Sequence, residues 1–171
     1  RIKVDEVTDF SNLETIIDDM FDTMYHEKGI GLAANQVGVK LAILVFDIGG
    51  YEFEEGVEME EDFFADPMVF INPLITDSIG ECSMEEGCLS VPDIRAEIIR
   101  ADSITLQYQG MDQNTYSENF SGLSARVLLH EIDHLNGKFF TDYLSSSKRI
   151  LIQKRLKEIA LTGAPSTGII L

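Results

Sequence analysis

Residues 128–137 constrain this chain more than any other segment, because they contain the pattern H-E-x-x-H. His130 and His134 stand four residues apart in an apolar-periodic stretch, so in a helix both imidazoles project from one face and can share a metal ion. Glu131 lies beside them and can act on a water at such an ion without being a ligand. Two histidines do not complete a catalytic metal site, which needs a third protein ligand and an open position.

Cys88 is the natural candidate for the third ligand. A thiolate is a strong donor for a borderline metal, and the neighbouring Gly87 lets the backbone approach closely. A lone cysteine is more often a buried packing residue, and only the downstream histidine pair favours the ligand interpretation. The chain has only two cysteines, Cys82 and Cys88, which excludes a disulfide framework. An alternative is a closed structural site in which both cysteines and both histidines hold the metal, and that hypothesis makes Cys82 indispensable.

Composition limits the remaining possibilities. A chain of 171 residues with 44% hydrophobic and 25% charged residues is typical of one globular domain, which we assign to residues 1–171. A formal net charge of −17 argues against a nucleic-acid groove, because phosphate binding needs a positive surface. No apolar run is long enough to span a bilayer, and the N-terminus lacks a signal-peptide core. We therefore expect a soluble, intracellular protein with no membrane or DNA partner.

The first forty residues contain one clear helix. We expect an extended arm over residues 1–10, a capping box at residues 11–14 and an amphipathic helix to about His26, which should face solvent. Residues 29–38 follow with three glycines and two alanines, so another backbone or an extended substrate can lie close against them. Within this run, Gln36 is either a structural hydrogen-bonding residue or an amide aimed into a site.

Alternating and apolar runs predict several strands. These are residues 41–48, 68–75, 96–100 and 104–108, with Asn72-Pro73 placing the second strand at a sheet edge or ending it. Residues 49–66 contain eight of the thirty acids and predict a solvated loop. The ligand helix should cover residues 122–135, with Gly137 after its end. A second helix should cover residues 148–161 with five of the thirteen basic residues, followed by an irregular tail.

Three segments together resemble the signature motifs of the peptide deformylase family, in the same order and at similar separations. They are G-I-G-L-A-A-N-Q at residues 29–36, E-G-C-L-S at residues 86–90 and H-E-I-D-H at residues 130–134. The resemblance implies an α+β fold in which antiparallel sheets surround the ligand helix. It also implies a metal-dependent hydrolase that removes the formyl group from the N-terminal formylmethionine of new polypeptides and releases formate.

The family resemblance assigns a role to each site residue. Cys88, His130 and His134 would hold one divalent metal, and a metal-activated hydroxide would attack the formyl carbonyl with Glu131 as general base and then general acid. The Gln36 side chain and the Leu89 backbone N–H would stabilise the developing oxyanion. The substrate residues implied by the resemblance are the backbone at Ile30 and Gly31, the apolar slot of Ile30, Leu123 and Val127, and Arg95 near the peptide. Arg95 is equally well explained as a surface ion pair.

The resemblance also implies the cofactor and the partners. Ferrous iron would be the native ion, with Zn, Ni or Co as substitutes, since two imidazoles and a thiolate accept all four. The partners would be N-formylmethionyl nascent polypeptides and, through the basic helix at 148–161, the ribosome, in a cytoplasm of the bacterial type or in an organelle. Two other hypotheses stay open: a general H-E-x-x-H peptidase that cuts internal amides, and a deformylase-like protein without activity.

Overall fold

The computed structural model describes residues 2–49 and 66–162. Most of the acidic run at 49–66 and the tail after residue 162 therefore lie outside the described residues. The described chain contains, in order, α1 (Leu13–His26), β1 (Gly31–Ala33), a 3₁₀ helix (Ala34–Val37), β2 (Ile43–Phe46), β3 (Met68–Ile79), β4 (Cys82–Glu86), β5 (Ala96–Arg100), β6 (Ser103–Gln109), β7 (Thr115–Ser121), α2 (Gly122–Leu135), a second 3₁₀ helix (Phe140–Tyr143) and α3 (Ser146–Thr162).

The strands form two antiparallel sheets, and α2 packs against the larger one. The larger sheet has the order β1-β2-β3-β6-β7, and the smaller one pairs β4 with β5. One core cluster joins α2 to this sheet, for example through Val127 and Leu128 against Phe46 and Phe70. The expected α+β fold around the ligand helix is confirmed. The predicted bounds of that helix are also those observed, and nearly all of its residues are buried.

The predicted effect of Asn72-Pro73 on its strand was wrong. The strand does not end at Pro73 but runs for 12 residues, and it lies between β2 and β6 rather than at an edge. Asn72 adopts a left-handed conformation with φ 53°, and the register shifts between Ile71 and Leu74. This bulge places Pro73 where the ladder does not require its missing N–H. The Asn72 side chain then bonds the Val7 backbone at 2.8 and 2.9 Å, which ties the N-terminal arm to the sheet.

The predicted capping box of α1 was also wrong. The N-cap residue is Asn12, which has φ 63° and makes no side-chain capping bond. Ser11 instead bonds backward to Asp9 through both its hydroxyl and its backbone N–H. The helix itself is present over the expected residues, because the apolar stripe facing the core decides its existence more than the cap does.

Other expectations were met. Gly137 has φ 70° just after α2, as expected for a residue that ends a helix, and the His26 side chain is 85% exposed.

Three strands were not predicted. β1 has only three residues, and the largely polar sequences of β4 and β7, CSMEE and TYSENFS, resemble loops. None of the helices in the described part of the chain is long and apolar enough to cross a membrane.

Candidate metal centre

Three side chains from two distant parts of the chain meet beneath the large sheet. Cys88 Sγ lies 3.1 Å from His134 Nε2, which lies 3.2 Å from His130 Nε2, and all three ligand atoms fall within 4.8 Å of one another. A tetrahedral cation with bonds of about 2.0–2.3 Å separates its ligand atoms by roughly 3.3–3.8 Å. All three residues are buried, so the donor set matches one transition-metal ion in chemistry and in spacing.

Cys82 does not belong to this group. It lies on β4, where its thiol contacts the carbonyl of the adjacent Ser83 at 3.9 Å, and its own carbonyl accepts a hydrogen bond from Arg126. Among the described residues, the group of side chains that could hold a metal ion consists of Cys88, His130 and His134 and does not include Cys82. The geometry therefore favours a site with three protein ligands over the closed four-ligand alternative.

Glu86 holds His130 in the orientation that metal binding requires. Its Oε2 atom lies 3.0 Å from His130 Nδ1. Burial acts to raise the pKa of Glu86, but hydrogen bonds from His130 and Arg100 lower it to about 2, so the carboxylate is ionised and accepts a hydrogen bond from Nδ1–H. Once a cation displaces the proton from Nε2, that atom would present its lone pair to the site. Such a carboxylate behind a histidine ligand fixes the tautomer of the ring.

A buried ion network extends from Glu86 to the far side of α2. Arg100 donates to Glu86 at 2.5 and 3.0 Å and to Asp133 at 2.6 Å, and Arg126 donates to Glu86 at 2.8 Å. Asp133 also accepts a hydrogen bond from Tyr143. These charges are compensated by one another, which is the condition under which a core tolerates them.

Sequence reasoning missed this network. Arg126 lies inside the apolar pattern of α2 and is 1% exposed, and Arg100 ends a strand and is 7% exposed. A charged residue at a position that the helical or strand period assigns to the core needs a buried partner. That signal was available for Arg126, but it does not identify Glu86 as the partner 40 residues away.

Glu131 lies beside the group of Cys88, His130 and His134 and is buried away from solvent. It is 1% exposed, and its Oε2 atom has no hydrogen-bond partner among the described residues. Burial raises the pKa of Glu131 to about 7, although nearby His130 and a hydrogen bond from the Ala33 backbone oppose the shift. A carboxyl group with a pKa near neutrality can both accept and return a proton at physiological pH.

The two histidine ligands differ in protonation. Burial acts to lower the pKa of His130, but hydrogen bonds to Cys88 and Glu86 outweigh it and raise the pKa to about 10. Burial lowers the pKa of His134 to about 3, and the positive charges of His130 and Arg100 add to the shift. His134 is therefore in the neutral form that binds a metal. His130 carries one proton more than its neutral form, and a bound cation would displace that proton.

Gln36 lies at the mouth of the site, on the 3₁₀ helix after β1. Its Oε1 atom accepts the Ala33 N–H at 2.7 Å, and its Nε2 atom lies 3.2 Å from Ser90 Oγ and 4.0 Å from Cys88 Sγ. Gln36, Ser90 and His134 line one cleft of about 170 Å³. The Gln36 side chain thus makes hydrogen bonds within the protein and also lines the cleft, so both interpretations of this residue stay open.

The expected substrate residues occupy two different surroundings. Ile30 and Val127 are buried at 8% and 1% exposure, and Leu123 is half-buried beside the same core cluster. A Cβ atom at Gly31 would lie 2.7 Å from Val127 Cγ1, so β1 presses directly onto α2 there. Arg95 is half-exposed and forms a surface ion pair with Glu85 at 3.5 Å.

Leu89 directly follows Cys88 in a turn. The turn is closed by a 2.9 Å hydrogen bond from the Val91 N–H to the Cys88 carbonyl. The Leu89 side chain is half-buried and packs against two core clusters, on the α1 side and on the α3 side. Packing on both sides fixes the backbone next to the thiol ligand.

Comparisons with known proteins agree with this geometry. Residues 1–150 match the family model described as polypeptide deformylase. A peptide deformylase of Zymomonas mobilis is 49% identical over 149 residues, which is 86% of this chain and 81% of that protein. One from Chlorobium luteolum is 42% identical over 156 residues, or 91% of this chain and 78% of that protein.

Solved structures give the same result in three dimensions. The crystal structure of a peptide deformylase from Legionella pneumophila has a TM-score of 0.79 at 40% identity, covering 94% of this chain and 88% of that one. Peptide deformylase 1B of Arabidopsis thaliana has a TM-score of 0.81 at 34% identity, covering 98% and 91%. With residues 1–150 matching the family model and two of the three motifs supplying the buried group of Cys88, His130 and His134, the chain belongs to the polypeptide deformylase family.

Proposed function

We propose that this chain hydrolyses the N-formyl group of formylmethionyl polypeptides, with Cys88, His130 and His134 holding one divalent cation and Glu131 carrying the proton. The chain is a hydrolase of the deformylase family. The observation that carries the proposal is the Glu131 carboxylate, buried with one unpartnered oxygen beside the three-ligand group. A cation held there would polarise a water molecule and the formyl carbonyl.

Glu131 accounts for both proton transfers of the reaction. It would accept a proton from the water as the water oxygen forms a bond to the formyl carbon, and later deliver a proton to the amine nitrogen as the C–N bond breaks. The products are formate and a free N-terminus. The burial that raises the pKa of Glu131 to about 7 makes both transfers feasible near neutral pH.

Gln36 and Leu89 would stabilise the oxyanion that develops on the formyl oxygen. The Gln36 Nε2 atom faces Cys88 Sγ across 4.0 Å, and Leu89 is the residue directly after Cys88. Both donors would thus lie beside the same ligand. Losing one donor of this kind typically lowers kcat by about 10²–10³-fold.

The substrate backbone would bind by adding a strand to β1. β1 is the first strand in the order of the large sheet, so among the described strands only one of its edges is paired. Ile30 accepts a hydrogen bond from the Asp47 N–H on the β2 side, so the next residue, Gly31, turns its N–H and carbonyl to the outer edge by strand alternation. An extended peptide can pair there while its first side chain enters the slot of Ile30, Leu123 and Val127.

Arg95 would lie near the peptide as it leaves the site. Its ion pair with Glu85 is exposed, and exposed pairs contribute little free energy, so giving up this pair for a peptide group is inexpensive. Charge reversal of Arg95 should raise KM more than it lowers kcat.

We propose ferrous iron as the native ion, with Zn, Ni or Co able to replace it. What supports this is the mixed thiolate and imidazole set, which accepts all four metals. Activity of the iron form should fall on exposure to air, while a Ni or Zn form should keep its activity. Unchanged turnover of iron-loaded protein after oxidation would contradict the iron assignment.

We further propose that α3 contacts the ribosome in the cytoplasm. This helix contains no buried residue and exposes Ile150 and Leu151 beside Lys148 and Arg149. A basic, partly apolar surface on an acidic chain suits a ribosomal partner, because nascent chains emerge there. Co-sedimentation with ribosomes should be lost when the chain is truncated before Ser147. Unchanged co-sedimentation of the truncated chain would refute the proposal.

Formate release tests the activity directly. Purified protein of known metal content should release formate from a formyl-Met peptide and leave the acetyl-Met analogue intact. Cleavage of an internal amide instead would favour the general peptidase hypothesis. Absence of both activities in protein with one metal per chain would favour an inactive member.

A further inference from the structure

We propose that Ser90 is a positioning residue that holds the Gln36 amide with its nitrogen toward the reacting formyl oxygen. The inference rests on the proposed function of Gln36. It adds a role for a side chain that is neither one of the three metal-type ligands nor one of the substrate residues named above. It starts from the two short hydrogen bonds of the Gln36 side chain, to Ala33 and Ser90, beside a longer 4.0 Å contact with Cys88 Sγ.

The first bond determines which end of the amide faces the site. Ala33 N–H is a donor, and it lies 2.7 Å from one end of the Gln36 amide. Only the carbonyl oxygen can accept that hydrogen, so the –NH₂ end must point the other way. It points toward Ser90 and Cys88.

The second bond fixes where that –NH₂ group lies. Ser90 Oγ lies 3.2 Å from Gln36 Nε2 and can accept one of its two hydrogens. The second hydrogen faces Cys88 Sγ across 4.0 Å, a long contact that a substrate oxygen beside the thiol can replace. Gln36, Ser90 and His134 line the same cleft, so this hydrogen is directed toward space that a small carbonyl group can enter.

Without Ser90, the amide would be held at one end only. The Ala33 bond alone lets the side chain pivot about Oε1, because a glutamine side chain has three rotatable bonds before the amide. An oxyanion donor contributes most when its position is set before the reaction begins. Ser90 is itself held in place, because the turn at residues 88–91 is closed by the Val91–Cys88 hydrogen bond.

Steady-state kinetics of Ser90→Ala on a formyl-Met peptide test the proposal. We expect kcat to fall by about three- to tenfold, the contribution of one neutral hydrogen bond, with KM and metal content unchanged. Ser90→Thr keeps the hydroxyl and should restore most of the lost kcat. Ser117→Ala, an exposed serine on β7, is the matched control and should have wild-type kcat.

A double-mutant cycle with Gln36→Ala separates positioning from a general structural role. If Ser90 acts through Gln36, adding Ser90→Ala to Gln36→Ala should cause no further fall in kcat. The same fall in both backgrounds, or wild-type kcat in Ser90→Ala, would overturn the proposal. Wild-type kcat in Gln36→Ala would overturn the role of Gln36 and this proposal with it, whereas a loss confined to Gln36→Ala would overturn only the role of Ser90.

Discussion

Replacing Glu86 with glutamine should destabilise the protein and weaken metal binding together. The carboxylate is fully buried and is the meeting point of Arg100, Arg126 and His130, with donor distances of 2.5 to 3.0 Å. Glutamine keeps the volume of the side chain but removes its charge, and its –NH₂ end turns a donor toward groups that are donors themselves. Two buried guanidinium groups then lose their main counter-charge.

The size of the effect follows from two independent arguments. The pKa of Glu86 falls from 4.5 to about 2 on folding, which corresponds to roughly 3 kcal/mol at neutral pH. Removing one partner of a buried ion pair typically costs about 3–5 kcal/mol. We therefore expect Glu86→Gln to lower the free energy of unfolding by roughly 3 kcal/mol at pH 7. Metal affinity should fall by about 10–100-fold, because His130 loses its orienting carboxylate.

The stability difference between the wild type and Glu86→Gln should decrease as the pH falls. A carboxyl whose pKa is lower in the folded state contributes its full stability above its unfolded pKa and loses it as the pH falls toward the folded pKa. For Glu86 this window runs from 4.5 down to about 2. At pH 3.5 the advantage of the wild type over Glu86→Gln should be smaller than at pH 7 by about 1.4 kcal/mol.

Urea unfolding of the chelator-treated protein measures this difference without the contribution of bound metal. Glu85→Gln is the matched control, since Glu85 is the adjacent residue but is exposed and forms a surface ion pair with Arg95. It should change stability by less than about 0.5 kcal/mol. Equal stability of Glu86→Gln and wild type at pH 7, or a difference that stays constant down to pH 3.5, would refute the reasoning.

Three further predictions concern the site itself. Glu131→Gln should lower kcat by at least about 10²-fold while elemental analysis shows an unchanged metal content, because it removes the proton carrier and no ligand; loss of metal would instead make Glu131 a ligand. Gly31→Ala would bring a Cβ atom within 2.7 Å of Val127 and 3.0 Å of Glu131, so thermal unfolding should show a loss of about 1–3 kcal/mol and formate release should fall; wild-type values of both would show that β1 can move away. Cys88→Ser should lose metal and activity and Cys82→Ser should keep both, and the reverse result would restore the closed-site hypothesis.

The burial of Arg126 was not predicted from the sequence. Helical periodicity predicted α2 at its observed bounds, but it treated the helix as having one core face, whereas nearly all of its residues are buried. The reason is that a second sheet, β4-β5, supplies Glu86 to the same helix. β4 was not predicted, because Ser83 and Glu85 are exposed and its one fully buried side chain, Glu86, belongs to this ion network rather than to an apolar core.

The sequence alone determined the residues that can bind a metal and the helix that holds two of them. That information is local, because four-residue spacing in a helix places His130 and His134 together whatever the rest of the chain does. Only the tertiary structure decided that Glu86 stands behind His130, that Arg100 and Arg126 neutralise it, and that Ser90 reaches Gln36. Those contacts join residues that lie 14 to 54 positions apart in the sequence. Tertiary packing determines which residues meet, and helical or strand periodicity along the chain does not.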